Sequence, residues 1–301
     1  MTDRLLEARE IESLLSKPGS TRGRLQRLAY ELLLEHERDG MIPTNGRFIF
    51  YELAQRGLVA KGYRDGLPVA KGKRDDRQNL ADALMRLREV KLIPWSWIED
   101  ETRTLNHWDY APSVAEYLRD RLEHATLNPW GDEPPPLILC ESRSLQGPLR
   151  QTAYKYTCAI AATNGQAGGF LRTDLLPLFE GEPRRVLYLG DHDLAGNDIE
   201  RNTRRVLEYE LGQPLDWDRI AITTEQIGRY DVGEPMTKTD KRYTDSRPHL
   251  AWETEALGQK RVVEIVVAAL DERLPEPLVH VRERELDQRQ QLRAELERWT
   301  A

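Results

Sequence analysis

The chain has 301 residues, and its 44 Lys and Arg against 51 Asp and Glu give a formal net charge of −7. Hydrophobic residues make up 39% and charged residues 32%, a balance that is typical of a globular protein and excludes a disordered chain. The apolar runs fall short of the roughly 18 residues that suggest a membrane span, and the charged start MTDRLLEARE argues against a signal peptide. Cys140 and Cys158 are the only cysteines, so we expect a reducing cytoplasmic environment, no membrane association and about two domains.

The first third of the chain predicts a small domain made mostly of helices. Leucine and isoleucine recur at helical spacing, and turn or capping residues separate the repeats. The predicted helices cover residues 1–18, residues 21–37, a segment from Thr44 or Asn45 to Gly57, and a segment from Leu80 to beyond Leu87. The partial alternation of apolar residues in KLIPWSWIEDET, residues 91–102, predicts a short strand and with it a strand pair. Helices followed by a strand pair indicate a winged helix-turn-helix domain over residues 1–125.

A proline-rich linker separates this domain from one with a different pattern. Residues 126–136, TLNPWGDEPPP, hold four prolines and a glycine. Beyond them strands and helices alternate, which predicts a parallel sheet with crossover helices in an α/β domain over residues 137–301. The strands are predicted at 137–140, 157–162, 186–189 and 219–222, with helices around 145–155, 170–179, 197–211 and 257–270. A charge-rich helix over 281–299 forms a C-terminal extension and is interpreted as a solvated surface helix.

Carboxylates follow two of the predicted strands at the edge where parallel α/β proteins bind ligands. Asp191 and Asp193 come after the strand VLYL, Gly196 allows a tight turn into a helix predicted to begin near Asn197, and Glu141 comes directly after LILC. Carboxylate oxygens are the ligands that Mg²⁺ prefers. A solvated acidic loop or a helix N-cap explains each residue alone, whereas the combination indicates a metal centre made of Glu141, Asp191 and Asp193.

These segments resemble a known family. Glu141 and the D-x-D of GDHDLAGNDI (190–199) resemble the Toprim domain, whose motif reads DxDPxGxxI, with Leu194 standing here where the family has proline. A Rossmann-like Toprim domain preceded by a winged helix is similar to the topoisomerase VI A subunit and to the meiotic double-strand-break transesterase, including stand-alone relatives of the A subunit. Their winged helix carries an Arg-x-x-(Tyr/Phe)-Tyr motif, and RFIFY, residues 47–51, matches it.

The resemblance implies a Mg²⁺-dependent enzyme, a topoisomerase or endonuclease, that cleaves DNA by tyrosine transesterification. Tyr51 would attack a phosphodiester and form a 5′-phosphotyrosyl link, with Arg47 lowering the pKa of the phenol or holding the phosphate. Glu141 would act in acid–base chemistry or hold Mg²⁺ together with Asp191 and Asp193, and Mn²⁺ is the alternative ion. The implied assembly is a homodimer in which the tyrosine of one protomer faces the metal of its partner. Strand passage would require a separate ATPase partner, since the sequence contains no GxxxxGK[ST] motif.

Further residues suit contact with double-stranded DNA and thus a nucleoid-associated location. Residues 56–77 are rich in basic residues and glycines, which predicts a flexible loop that either tracks phosphates or is simply solvated. The DNA-binding candidates within it are Lys61, Arg64, Lys71, Lys73, Arg74 and Arg77. Glu253 and Glu255 are accessory candidates for the metal shell or a helix-start acid pair, and His192 is a candidate phosphate contact or an ordinary hydrogen-bonding residue. Other candidate phosphate contacts are segments 161–170 and 236–247.

The sequence leaves two other functions open. A Toprim-type metal-dependent nuclease would cut DNA with an activated water molecule and use Tyr51 only as a structural residue. A catalytically inactive DNA-binding module would use none of the carboxylates for chemistry. Covalent trapping of cleaved DNA distinguishes the first alternative from transesterification, and a metal titration tests the second.

Overall fold

The computed structural model describes residues 8–99, 110–165, 168–179, 184–229, 232, 235–238 and 249–300. Its N-terminal part contains α1 (Ala8–Leu14), α2 (Thr21–Arg38), α3 (Gly46–Gln55) and α4 (Asp76–Glu89). The helices expected in this part are confirmed where it is described, and residues 1–7 of the first one lie outside the described residues. They pack through leucines at the predicted helical spacing, among them Leu25, Leu32, Leu53, Leu80 and Leu87.

The segment between α3 and α4 is anchored by its acidic residues, where the sequence predicts a flexible loop. It contains a short antiparallel hairpin of β1 (Tyr63–Arg64) and β2 (Leu67–Pro68). Arg24 of α2 pairs with Asp65 at 3.0 Å and with Asp76 at 2.7 Å. These ion pairs fix the hairpin against the helices, so the segment is a folded element.

The prediction of a strand in residues 91–102 is wrong for residues 91–99, which the structure describes. Trp95–Trp97 forms a 3₁₀ turn instead, in which the amide of Trp97 donates to the carbonyl of Pro94 at 3.2 Å. Trp95 is 58% exposed, so the alternation of apolar residues does not mark a buried strand face. The hairpin of this part of the chain precedes α4 instead of following it, and a winged helix is therefore not confirmed. Residues 100–102 lie outside the described residues.

The second part of the chain folds around a parallel sheet, as the alternation of strands and helices predicts. Its strands are β3 (Leu137–Cys140), β4 (Ala159–Ala162), β5 (Val186–Leu189) and β6 (Trp217–Ala221), in the spatial order β4-β3-β5-β6. Every residue of the two central strands is buried, which is typical of a parallel sheet covered on both faces. A mixed α/β fold is thereby confirmed, while its assignment to the Toprim family stays a prediction.

Helices and a second hairpin surround the sheet. The helices are α5 (Val114–Leu122), α6 (Gln146–Lys155), α7 (Gly168–Phe170), α8 (Leu194–Leu211), α9 (Thr224–Gly228), α10 (Gln259–Asp271) and α11 (Leu278–Thr300), and the hairpin is β7 (Met236–Lys238) with β8 (His249–Ala251). The helix predicted near Asn197 begins earlier, at Leu194, because the side chain of Asp193 caps it. Within the described residues, no helix has both the length and the apolar surface needed to cross a membrane.

Buried contacts join the helical part to the sheet. Phe48 of α3 belongs to the same apolar core as Ile138 of β3. Trp130 of the predicted linker is buried as well, and its indole N–H donates to the carbonyl of Tyr156 at 2.8 Å. The proline-rich segment therefore packs on the sheet part, whereas the domain boundaries at residues 125 and 137 stay predictions.

Candidate active site

The register of the central strands brings Glu141 and the D-x-D segment together. β3 and β5 pair in parallel with Cys140 opposite Leu189, so the residues that follow both strands leave the same edge of the sheet. The amide of Asp191 donates to Glu141 Oε2 at 3.0 Å. A Cβ at Gly196 would lie 2.4 Å from Asp191 O and 3.0 Å from Glu141 Oε2. A side chain at this position would therefore push the two carboxyl-bearing segments apart.

Asp193 connects the sheet edge to α8 and is held from two sides. Its Oδ1 accepts the amide of Gly196 at 2.7 Å, and its Oδ2 lies 2.7 Å from the ammonium of Lys238. Lys238 ends β7 and also reaches Glu253 Oε1 at 3.0 Å. The described part of the predicted segment 236–247 thus enters the site through one lysine, and residues 239–247 lie outside the described residues.

The segment after β8 is attached to the D-x-D segment by its backbone. Trp252 and His192 exchange two backbone hydrogen bonds, of 2.9 and 3.2 Å. Thr254 donates its amide and its hydroxyl to Asp191 Oδ1, at 2.9 and 3.1 Å. The two carboxylates that flank Thr254 in the sequence are both buried, so this attachment brings them to the same edge.

Helix α3 brings Arg47 and Tyr51 to these two carboxylates. Arg47 forms ion pairs of 2.9 Å with Glu253 Oε2 and with Glu255 Oε1, and the hydroxyl of Tyr51 donates to Glu253 Oε2. The four-residue spacing of Arg47 and Tyr51 puts both side chains on one face of the helix. We call the five carboxylates at this edge the acidic cluster: Glu141, Asp191, Asp193, Glu253 and Glu255.

Glu141 and Asp191 form the part of the acidic cluster that has no ion pair within the described residues, although the Arg219 guanidinium is near enough to lower the pKa of Glu141. In the described part of the chain neither carboxylate pairs with a lysine or arginine side chain. Burial raises the pKa of Glu141, and the charges of Asp193 and Glu255 add to that effect. Burial likewise raises the pKa of Asp191, with the charges of Glu141, Glu255 and Glu253 adding to it. Ionising both groups costs free energy that a bound cation would offset.

Asp193 and Glu253 are neutralised by cations of the chain itself. Burial alone would raise the pKa of Asp193, but the contacts with Lys238 and with the amide of Gly196 outweigh it and lower the pKa. The pKa of Glu253 is lowered too, because the Tyr51 hydroxyl and the charges of Lys238 and Arg47 outweigh its burial. The carboxylates in turn raise the pKa of Lys238 despite the burial of its ammonium. This half of the cluster is therefore ionised and charge-balanced.

Tyr51 is held as a neutral phenol. Its burial raises the pKa of the phenol, the charge of Glu253 and the hydrogen bond to it raise the pKa further, and Arg47 opposes this without reversing it. The charge of Arg47 lowers the pKa of the phenol, as the first of its two predicted roles requires, but burial and Glu253 outweigh this effect. Arg47 also holds the carboxylate that accepts the tyrosine proton.

The predicted three-carboxylate metal centre is only partly assembled. No group of three or more His, Cys, Asp or Glu side chains among the described residues is arranged to hold a metal ion, and Lys238 already occupies Asp193. Glu255, however, is fully buried, and its Oε2 has no hydrogen-bond partner in the part of the chain described here. This orphaned oxygen and the carboxylates of Glu141 and Asp191 are the type of donor that a hard divalent cation takes, although the three are not arranged as a finished site.

The six predicted DNA-binding residues lie in and around the β1–β2 hairpin, from Lys61 just before it to Arg77 at the start of α4, and all of them are exposed. Arg74 pairs with Asp82 at 2.8 Å, whereas the other five form no ion pair within the described ranges. The acidic residues of the segment face α2 instead, as in the contacts of Arg24 with Asp65 and Asp76. The outward side of the hairpin is therefore left with a net positive charge.

Several contacts of the site were not identified from the sequence. Ser144 donates its hydroxyl to Glu255 Oε1 and accepts from the side chain of Asn45 at its carbonyl, at 2.6 Å, which ties the start of α3 to the turn after β3. The basic composition of segment 236–247 indicated a functional role for the stretch that contains Lys238. Single residues such as Ser144 and Thr254 have no such pattern around them. His192, a predicted phosphate contact, packs its ring edge-on against Trp252, with 6.1 Å between ring centres.

Comparison of the chain with protein families, with curated proteins and with solved structures found no match.

Proposed function

We propose that this chain is a divalent-cation-dependent enzyme that cleaves DNA phosphodiesters at the acidic cluster. The observation that carries the proposal is the contact of Tyr51 and Arg47 with Glu253. It puts a nucleophile, an acceptor for its proton and a guanidinium into one hydrogen-bonded set, which is the arrangement that covalent catalysis uses. The unpaired carboxylates of Glu141 and Asp191 lie beside that set and add the capacity to bind a cation.

The carboxylates that have no ion pair among the described residues are the candidates to hold Mg²⁺. Glu141 and Asp191 would hold it, with the orphaned Oε2 of Glu255 as the third candidate. When bound, the ion would supply positive charge against the phosphate charge that develops in the transition state. Asp193, which the sequence assigns to the metal, is neutralised by Lys238 and is expected to orient that lysine instead.

In the proposed reaction, the phenolic oxygen of Tyr51 attacks the phosphorus of a DNA phosphodiester. The hydroxyl proton passes to Glu253, which already accepts it in a hydrogen bond. The bond from phosphorus to the 3′ oxygen breaks, and the leaving oxygen takes a proton from solvent, which gives a 5′-phosphotyrosyl link and a free 3′-hydroxyl. Arg47, held by Glu253 and Glu255, is close enough to the phenol to bind the attacked phosphate.

A hydrolytic nuclease is the second candidate, and the environment of Tyr51 favours it. The tyrosine is only 5% exposed, and burial together with Glu253 raises the pKa of its phenol. Both features oppose attack by the phenolate. In this reaction water is the nucleophile and Tyr51 serves only to position Glu253.

One experiment tests the proposal and separates the two routes. The full chain is incubated with supercoiled plasmid and Mg²⁺ or Mn²⁺, and the DNA is resolved by denaturing electrophoresis with and without protease. Cleavage that requires the ion and yields protein-linked 5′ ends supports transesterification, and cleavage with free ends supports hydrolysis. Uncut DNA in both metals, with folded protein that binds DNA, would overturn the proposal.

The basic segment 61–77, which includes the β1–β2 hairpin, is the proposed contact with the DNA backbone. Replacing Lys71 and Lys73 together by alanine should weaken DNA binding at every sequence tested. Each lost phosphate contact should lower the slope of log affinity against log salt by about 0.9. Arg74→Ala should have a smaller effect, because Asp82 already neutralises Arg74. Fluorescence anisotropy over a salt series measures the slopes, and equal slopes for the double variant and the unmodified chain would show that Lys71 and Lys73 do not contact DNA.

Cleavage of both strands by a homodimer is part of the proposal, with one complete site in each protomer. The resemblance implies a tyrosine that reaches the partner, but Tyr51 contacts Glu253 of its own chain. A heterodimer of Tyr51→Phe with Asp191→Ala would then lack any complete site, so the co-expressed pair should not nick plasmid DNA. A heterodimer of the unmodified chain with Asp191→Ala is the control and should nick. Nicking by the first pair would establish a site shared between protomers.

A further inference from the structure

Lys238 lies in the segment predicted to contact phosphate, but the structure places its ammonium between two carboxylates, a position that the proposed function does not require. Its ammonium lies between Asp193 Oδ2, at 2.7 Å, and Glu253 Oε1, at 3.0 Å. A divalent cation that bridges two carboxylates would occupy the same place. The ammonium of Lys238 therefore lies where a metal ion could otherwise bind, between the carboxylates of Asp193 and Glu253.

Hydrogen bonds of the backbone hold Lys238 in this gap. It pairs with His249 in the β7–β8 hairpin, and the chain after β8 is joined to the D-x-D segment by the two hydrogen bonds between Trp252 and His192. The side chain is 30% exposed, so the aliphatic stem is largely packed. The ammonium is thus part of the built site and not a surface lysine that reaches in by chance.

The lysine divides the acidic cluster into two unequal halves. Asp193 and Glu253 lie within ion-pair distance of Lys238, and Arg47 also contacts Glu253. Glu141 and Asp191 have no such partner in the described residues, and Glu255 Oε2 is buried without a hydrogen bond. Lys238 therefore neutralises Asp193 and Glu253, whereas Glu141 and Asp191 have no ion-paired lysine or arginine in the described ranges and Glu255 pairs with Arg47 through its other oxygen.

We propose that Lys238 stands in place of a second divalent cation between Asp193 and Glu253, so that the acidic cluster takes up one divalent ion, at Glu141 and Asp191. A phosphodiester in the site would then meet one metal ion on one side and an ammonium on the other. The inference deepens the proposed function and rests on it for its chemistry. The number of bound ions, however, can be measured without DNA.

Metal counting on the full chain tests this inference. Mn²⁺ is titrated and the free ion is followed by electron paramagnetic resonance, with calorimetry as a second measurement. We expect one Mn²⁺ per unmodified chain. Lys238→Met removes the ammonium but keeps a chain of similar length, so this variant should bind two ions, the second at least tenfold more tightly than any second ion on the unmodified chain. Lys260→Met is the matched control, because Lys260 is exposed on α10 and forms its ion pair with Asp39, at 3.5 Å, outside the acidic cluster.

A further variant assigns the second ion to its place. Combining Asp193→Asn with Lys238→Met should restore a count of one, since the bridging carboxylate is lost. If Lys238→Met misfolds by circular dichroism, Lys238→Gln replaces it, because glutamine keeps a polar group near both carboxylates. Two ions on the unmodified chain, or one ion on a folded Lys238 variant, would overturn the inference. Failure of plasmid cleavage with the expected metal counts would instead overturn the proposed function and leave the role of Lys238 intact.

Discussion

Tyr51→Phe is expected to abolish covalent protein–DNA adducts and to reduce cleavage by several orders of magnitude. The substitution removes the oxygen that would attack phosphorus and keeps the ring that packs in the helical core. It also removes a hydrogen bond to a charged carboxylate, which is worth about 1.5–3 kcal/mol. A modest drop in the free energy of unfolding should therefore accompany the loss of cleavage.

The loss of stability has a matched control elsewhere in the chain. Tyr156 is buried and donates to Asp271 Oδ1 at 2.6 Å, away from the acidic cluster. Tyr156→Phe should thus cost a similar free energy of unfolding while adducts and cleavage persist. Undiminished cleavage by the Tyr51 variant would assign the reaction to water and leave the tyrosine a positioning residue for Glu253.

Asp191→Asn is expected to have opposite effects on cleavage and on stability. It removes a proposed metal ligand, and a metal ion contributes several kcal/mol to the stabilisation of such transition states. Because each 1.4 kcal/mol is roughly a tenfold change in rate, cleavage should fall by roughly a hundredfold or more. The free energy of unfolding without metal should rise at neutral pH, since the asparagine side chain needs neither a charge nor a retained proton beside Glu141.

The gain in stability should depend on pH with a defined sign. Burial and the neighbouring carboxylates raise the pKa of Asp191 in the folded chain, so the folded state keeps a proton that the unfolded state releases near pH 4. The stability due to that proton is complete below pH 4 and is lost as the pH rises through the raised pKa of Asp191 in the folded chain. The advantage of the asparagine variant should therefore grow between pH 4 and the alkaline range, by up to about 1.4 kcal/mol for each pH unit in which the two states differ by one proton.

Denaturant unfolding at a series of pH values, without metal, measures this difference. Asp216→Asn is the control, because Asp216 is an exposed carboxylate that pairs with Arg185 and should give a small, nearly constant difference. Added Mg²⁺ at pH 8 should stabilise the unmodified chain more than the Asp191 variant. A stability difference that is independent of pH would mean that the pKa of Asp191 is not raised in the folded chain.

The pattern of the second half of the chain was sufficient to predict its sheet and where the carboxylates emerge. Residues 137–140 and 186–189 are short, fully apolar runs, and such runs have one stable place, between two covering layers. The first half was predicted less well. Its helices follow from their periodicity, but the exposed Trp95 gave a false strand pattern, and the folded hairpin depends on Arg24, which is distant in sequence.

What the sequence by itself determined is therefore local: the buried strands, the acidic residues at their ends, and the helical spacing that puts Arg47 and Tyr51 on one face. Only the tertiary structure decided which of these residues meet. Tyr51 and Glu253 are 202 residues apart, and nothing in either segment specifies the other. The division of charge within the cluster is likewise tertiary, because Lys238 neutralises Asp193 across 45 residues, whereas Glu141 and Asp191 have hydrogen bonds but no ion pair among the described residues. The ends of the buried strands can be predicted from short apolar runs, because such runs are a local property of the sequence. The charge balance at a site cannot, because it depends on every element that packs around the site.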